Sequence, residues 1–199
     1  MSRVTCRISV SLDGFVAGPE QSPEDPLGQG GERLHEWAFG TVDEADARVL
    51  DEAVRGVGAY VMGRKMFGGG EGPWDETWTG WWGEDPPYHV PVFVLTHHPR
   101  EPLEMRGGTT FTFVTDGIES ALAQARAAAG DEDVAIAGGA STVQQYLAAG
   151  VLDELHLHIV PIVLGAGERL LEGVGDPALE PVEVIASPAV THVRYRVLR

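Results

Sequence analysis

The chain has 199 residues, 43% of them hydrophobic and 22% charged, enough for one sizeable core, and a single domain over 1–199 is expected. Its formal net charge of −16 opposes nucleic-acid backbones and anionic membranes, so neither is an expected partner. The lone Cys6 excludes an internal disulfide, and neither a signal segment nor a run of about 18 apolar residues is visible, so a cytoplasmic protein is expected.

Val4 to Val10 reads as a strand, with Cys6 as a small core residue rather than a nucleophile. Proline and glycine exclude regular structure from the loop 18–31. Thr41-Val-Asp-Glu44 fits a capping box, and Val42, Asp46, Val49, Leu50, Ala53, Val54 and Val57 fall mostly on one helical stripe. A strand at Ala59 to Met62 runs into Gly63-Arg64-Lys65. The segment Gly68 to Pro87 gathers Trp74, Trp78, Trp81 and Trp82. A loop this long stacks an aromatic substrate, makes a subunit contact or packs as a cover clamped by its own rings. Strands follow at Val92 to Leu95 and Thr109 to Val114, then a helix with Ile118, Leu122, Ala125 and Ala129 on one face.

Val134-Ala-Ile-Ala-Gly-Gly-Ala-Ser-Thr-Val-Gln-Gln-Tyr-Leu147 is a buried strand running through two glycines into a helix that begins near Ser141 and stops at Gly150. The junction is either a tight turn or a phosphate cradle, because Gly138 and Gly139 allow close approach and the first helical N–H groups point outward with partial positive charge. Leu155, Leu157 and Ile159 alternate along another strand, whose His156 and His158 share a face. That pair could ligate a metal, but with no third ligand proposed by the sequence it reads as a hydrogen-bonded pair on a sheet. Val182 to Ile185 and Val190 to Leu198 make a closing hairpin. Strands alternating with helices, then a terminal run of strands, predict a three-layer α/β fold, mainly parallel with an antiparallel edge. Ligands in such sheets sit beyond the strands' carboxyl ends, where Gly63-Arg64, Thr96-His97 and Gly138-Gly139 fall.

Taken in order, Ser9-Val-Ser-Leu-Asp-Gly-Phe-Val-Ala-Gly18, Tyr60-Val-Met-Gly-Arg-Lys-Met-Phe67, Val92-Phe-Val-Leu-Thr-His-His98, the double-glycine stretch and Asp153-Glu-Leu-His-Leu-His-Ile-Val-Pro-Ile-Val-Leu-Gly-Ala-Gly167 resemble the dihydrofolate reductase-like superfamily. The branch they resemble is the reductase domain of bacterial riboflavin biosynthesis. The resemblance implies that fold, a commonly dimeric chain, and a reduced dinucleotide lying across the sheet edge. Gly138, Gly139, Ala140, Ser141 and Thr142 would hold its pyrophosphate, with the glycine pair joined by a cis peptide. Gly63, Arg64 and Lys65 would cap the other phosphate side, with Met66 standing where the family often has a hydroxyl. Thr96, His97, His98 and Arg100 would meet the adenosine end and favour NADPH over NADH; the plain reading is a strand-end loop with solvated histidines.

On the substrate side, Asp13 either orients the mobile loop, relays a proton or is simply a turn residue. Glu32 and Glu36 approximate the carboxylate with which dihydrofolate reductases anchor a pterin, yet each also reads as an exposed helix acid. No cluster matching a phosphoribose grip is visible in the sequence. The implied reaction is hydride transfer to a C=N or C=O carbon of a small heterocyclic or carbonyl substrate. The alternative is a binding or sensor protein that keeps the cradle without the chemistry.

Overall fold

The computed structural model describes residues 2–40 and 42–198. In chain order the elements are β1 (Val4–Ser11), β2 (Phe15–Ala17), α1 (Glu44–Val54), β3 (Val57–Gly63), the single turn α2 (Arg64–Phe67), β4 (Pro91–Leu95) and β5 (Leu103–Glu104). Then come β6 (Thr110–Val114), α3 (Gly117–Ala129), β7 (Asp133–Gly138), α4 (Ala140–Ala148), β8 (Glu154–Val160), β9 (Glu168–Arg169), β10 (Leu179–Ala186) and β11 (Thr191–Val197). Among the described residues the main sheet runs β10-β11-β8-β1-β7-β3-β4-β6-β5, and β2 pairs with β9 in a small second sheet. The strands from β8 to β6 are mutually parallel, β5 and β11 run antiparallel to them, and β10 pairs antiparallel with β11 at the edge. The α/β architecture is therefore the expected one, with the hairpin forming one edge.

Burial on both faces explains why the central strands are nearly continuous in apolar residues. Val4, Cys6 and Val10 of β1 join a core with Leu122 and Ala125 of α3 and Val143 and Tyr146 of α4. Ile118, Leu122, Ala125 and Ala129 face this core, as their spacing predicts. The Tyr146 hydroxyl donates to the Ile118 carbonyl at 2.8 Å and ties the two helices together. Burial pushes the Cys6 thiol up to about 12, which suits packing and not nucleophilic chemistry. The opposite face of β1 is unusual because Thr5, Ser9 and Ser11 are buried there. Buried hydroxyls need partners, and Ser9 Oγ accepts from Trp37 Nε1 at 3.1 Å.

Several boundaries differ from the sequence reading. Thr41, the expected cap, lies outside the described residues; Asp43 caps α1 by accepting from the Ala45 N–H. The helical stripe is shorter than expected, because α1 stops at Val54 and Gly56 turns the chain at φ +69° into β3. Val57 is therefore a strand residue and Val54 is 59% exposed. The helix after the double glycine starts at Ala140, and the first strand of the hairpin extends from Leu179 to Ala186. Glu32 and Glu36 lie exposed in short 3-10 turns, and the buried acid of the first helix is Asp46. Among the described residues no helix is long and apolar enough to cross a membrane.

Candidate functional site

Three adjacent parallel strands, β7, β3 and β4, end side by side, and their carboxyl ends bring Gly138-Gly139, Gly63-Arg64 and Thr96 to one edge. The Gly138–Gly139 peptide is cis. A side chain at Gly63 would stand 2.4 Å from Thr142 Oγ1, so glycine is required there for β3 to meet the start of α4. At Gly139, by contrast, an added Cβ would meet nothing within 4 Å. The Thr142 and Val143 N–H groups turn back to the Gly139 carbonyl, whereas those of Ala140 and Ser141 have no acceptor among the described residues. Free N–H groups at a helix start beside open space are suited to an anion.

The neighbouring cations strengthen that reading. The Arg64 guanidinium lies 3.8 Å over the Trp74 ring, and Arg100 approaches the same ring at 5.3 Å. Trp74 is itself pinned by its Nε1 donating to the His98 carbonyl at 2.8 Å. Arg64 Nε and Nη2 and Arg100 Nε and Nη1 are buried without hydrogen bonds. Glu76 comes within 3.5 Å of Arg100 Nε, but as an ion pair lacking hydrogen-bond geometry. Burial, and then Arg100, lower the Arg64 pKa. Two like charges with orphaned N–H groups are costly unless an anion joins them. Thus Trp74 joins Arg64 and Arg100 at this edge, a convergence that its distance from both in sequence hid.

The remaining expected residues of this edge have contacts of their own. Lys65 pairs with Glu168 at 3.0 Å on the surface, and His97 is exposed. Thr96 is buried, its hydroxyl accepting from the His98 N–H at 3.1 Å to close the turn. The tryptophan loop packs on itself and on the sheet: Trp78 lies 4.5 Å from Trp81, and Trp82 stacks 5.9 Å from Phe111. Gly68, at φ +86°, gives Trp81 room, since a Cβ there would come within 2.6 Å of the indole.

Asp13, just beyond β1, accepts from the Ser11 hydroxyl at 2.6 Å, the Leu164 N–H at 3.1 Å and the Gly165 N–H at 2.7 Å. The Ser11 bond, followed by the backbone donors, holds its carboxyl down to about 2. A group ionised at neutral pH has no proton to give, so the geometry favours the loop-orienting role over the relay. Asp13→Asn should speed amide exchange at Leu164 and Gly165; unchanged exchange by mass spectrometry or NMR would remove the clamp. Because the folded pKa lies below the unfolded one, the clamp contributes stability above pH ~4 and loses it as pH falls through about 2.

On the α1 face of the sheet, two strands from the cradle, Arg7, His156, His158, His192 and Arg194 line a small cavity with Glu52 and Glu183. Arg7 makes no hydrogen bond or ion pair among the described residues, and burial lowers its pKa. Arg194 reaches Glu183 at 3.3 Å, yet its Nε is buried and unpartnered. His156 Nε2 meets Glu154 at 2.9 Å, and His158 meets His192 at 2.8 Å, so both members of the His-x-His pair are hydrogen-bonded. Among the described residues no group of three or more metal-ligating side chains is placed to hold a metal ion. Sequence reasoning missed this basic cluster, although the period-two pairs Arg7/Ser9, His156/His158 and His192/Arg194 were its available signal.

No curated protein sequence is similar enough to match. Among solved structures, a Shewanella sp. PV-4 protein provisionally assigned to riboflavin biosynthesis is similar at 23% identity and TM-score 0.66, with all of both chains covered. A pyrimidine reductase-like protein from Corynebacterium diphtheriae is similar at 19% identity and TM-score 0.60, over all of this chain and 92% of that one. Dihydrofolate reductase from Enterococcus faecalis, solved with NADP(H), is similar at 15% identity and TM-score 0.60, over 98% and 96% of the two chains. At these identities the likeness is one of fold. The model of the RibD C-terminal domain matches residues 2–193, nearly the whole described chain, and the protein belongs to that family.

Proposed function

We propose that the protein is an NADPH-dependent reductase acting on a C=N or C=O carbon of a small heterocyclic or carbonyl substrate. The observation that carries this reading is the set of orphaned guanidinium N–H groups on Arg64 and Arg100, fixed around Trp74 beside the open glycine cradle. These residues fit a dinucleotide phosphate in a chain whose net charge would otherwise repel one. The bound cofactor would supply the hydride.

The chain's own residues bind, orient and exclude water. Ala140 and Ser141 offer backbone N–H groups to the pyrophosphate, while Arg64 and Arg100 would face the 2′-phosphate. Asp13 holds the loop around Leu164 and Gly165 close to the first strand. The cluster around Arg7 provides donors for a substrate carbonyl or anionic group on the α1 face.

Titration with NADPH and, separately, NADH, followed by tryptophan fluorescence and calorimetry, tests the reading. NADPH should bind more tightly, and Arg64→Gln should weaken it by about tenfold or more while changing NADH binding little. Absence of binding by either nucleotide would overturn the reductase assignment. Binding without hydride transfer to any of a panel of candidate substrates would favour a nucleotide-binding sensor on the same fold.

A further inference from the structure

The buried histidines on the α1 face form a chain with a direction. Asp46 Oδ1 lies 2.8 Å from His192 Nε2, and His192 Nδ1 lies 2.8 Å from His158 Nδ1. Asp46, His192 and His158 are only 1%, 5% and 6% exposed, and Trp37 packs on both rings at 5.0 Å or less. A carboxylate only accepts, so His192 carries its proton on Nε2. In the neutral ring Nδ1 is then an acceptor, His158 must place its proton on Nδ1, and His158 Nε2 is left as a bare lone pair. The hydrogen bond of His158 among the described residues is made at Nδ1, and Nε2 makes none. The ring borders the basic cavity, whose volume of about 40 Å³ has room for a few water molecules.

Strand register relates this chain to the cradle. The Cβ position of Gly138 lies 3.8 Å from Ile8 on β1, and Ile8 pairs in turn with Leu157 on β8. His158 is the next residue toward the carboxyl edge, opposite Ser9. At a strand spacing of roughly 4.8 Å, β8 lies about 10 Å across the sheet from Gly138 with β1 between them, and His158 faces the α1 side, opposite to Ile8.

We propose that Asp46, His192 and His158 form a proton relay whose outer atom, His158 Nε2, exchanges a proton with whatever occupies the α1-face cavity. Its part in reduction rests on the reductase reading above. In the loaded relay both His192 nitrogens carry protons and His158 is protonated on Nε2. His158 gives the Nε2 proton to the substrate nitrogen or oxygen left with an electron pair when its carbon is reduced. It takes the Nδ1 proton of His192 in return, leaving neutral His192 on Asp46, and a solvent proton reloads the chain. His158 touches the substrate directly or through water; His192 and Asp46 are positioning residues that act through it.

The surroundings favour placing the charge inward. Arg7 on β1, Arg194 on β11, His156 and Glu154 on β8, Glu52 on α1, Glu183 on β10 and His35 in the turn before Trp37 are the titratable groups around the cavity and the rings. Burial first, then His192, Arg7, His156 and His35, push the His158 imidazole down to about 3. A proton accepted at Nε2 therefore does not rest on that ring, and the hydrogen-bonded route inward runs through His192 to Asp46.

Long-range ¹H–¹⁵N NMR of histidine-labelled protein, from pH about 9 down to about 4, tests the relay without nucleotide or substrate. At high pH His192 should be the Nε2–H tautomer and His158 the Nδ1–H tautomer. One proton should then be taken up with shifts on both rings, and Asp46→Asn should lower its midpoint by about one pH unit or more. A His158 protonated on Nε2 at high pH, or a midpoint unmoved by Asp46→Asn, would overturn the proposal. The wild-type tautomer pattern decides the matter alone if that variant fails to fold. Failure of both nucleotides to bind would instead sink the reductase reading and leave these NMR results standing.

Discussion

A Gly139→Val variant is expected to keep the parent's melting temperature and to bind NADPH at least about a hundredfold more weakly. The asymmetry follows from what surrounds that position. Apart from its two chain neighbours, a Cβ on Gly139 meets no protein atom within 4 Å, and its φ of −75° is one that any residue adopts, so packing gives little reason for the fold to object. The added side chain would occupy the space in front of the Ala140 and Ser141 N–H groups, where the anion is proposed to sit. Gly138 provides the contrast. Its φ of +129° is one that residues with a side chain rarely adopt, so a substitution there is strained even though a Cβ would meet Met66 Sδ only at contact distance, 3.4 Å. Gly138→Ala should therefore lower the melting temperature, at a cost of about 1–3 kcal/mol. Calorimetric titration and thermal unfolding of the two variants separate the roles; full NADPH affinity in Gly139→Val would refute the cradle.

Acid is expected to destabilise the protein well before its surface carboxylates are neutralised. Burial first, then Arg7, depresses the His156 imidazole to about 4, against the opposing pull of Glu154. An unfolded histidine takes up its proton near pH ~6.5. Between those values the unfolded state binds more protons, so stability falls as pH falls, by up to about 1.4 kcal/mol per pH unit for this group. The side chain is only 8% exposed, so solvent screening does little to reduce the effect. Across the window the loss amounts to about 3 kcal/mol. His156→Gln retains a donor for Glu154 but cannot titrate, and should lessen the pH dependence of denaturant unfolding between about 6.5 and 4, leaving the part that the still lower His158 contributes. An unchanged slope would place the sensitive group elsewhere.

The architecture was legible because its signals are local. Alternation along Val4 to Val10, the apolar face of Ile118 to Ala129 and the glycine pair after Ile136 each report the conformation of one short segment. The order of those segments then identified the parallel sheet and the edge on which Gly63-Arg64 and Gly138-Gly139 meet. The capping reading of α1 was less secure because Thr41, Asp43 and Glu44 offer overlapping caps, and Asp43 makes the observed bond. Asp46 stood in the predicted helical stripe, but its pattern could not distinguish a buried acid from an exposed one.

What the sequence determined by itself was the strand and helix order, the parallel class of the sheet and the glycine edge. That Arg64 and Arg100 share Trp74, that Asp13 accepts from the Leu164 and Gly165 N–H groups, and that Asp46 lies beside His192 across 146 positions of chain came from the packing alone. Periodicity reads what neighbouring residues impose on one another. Which polar side chains become partners is settled when distant strands pair and water is removed, since each buried donor or charge must then find a complement or remain poised for a ligand.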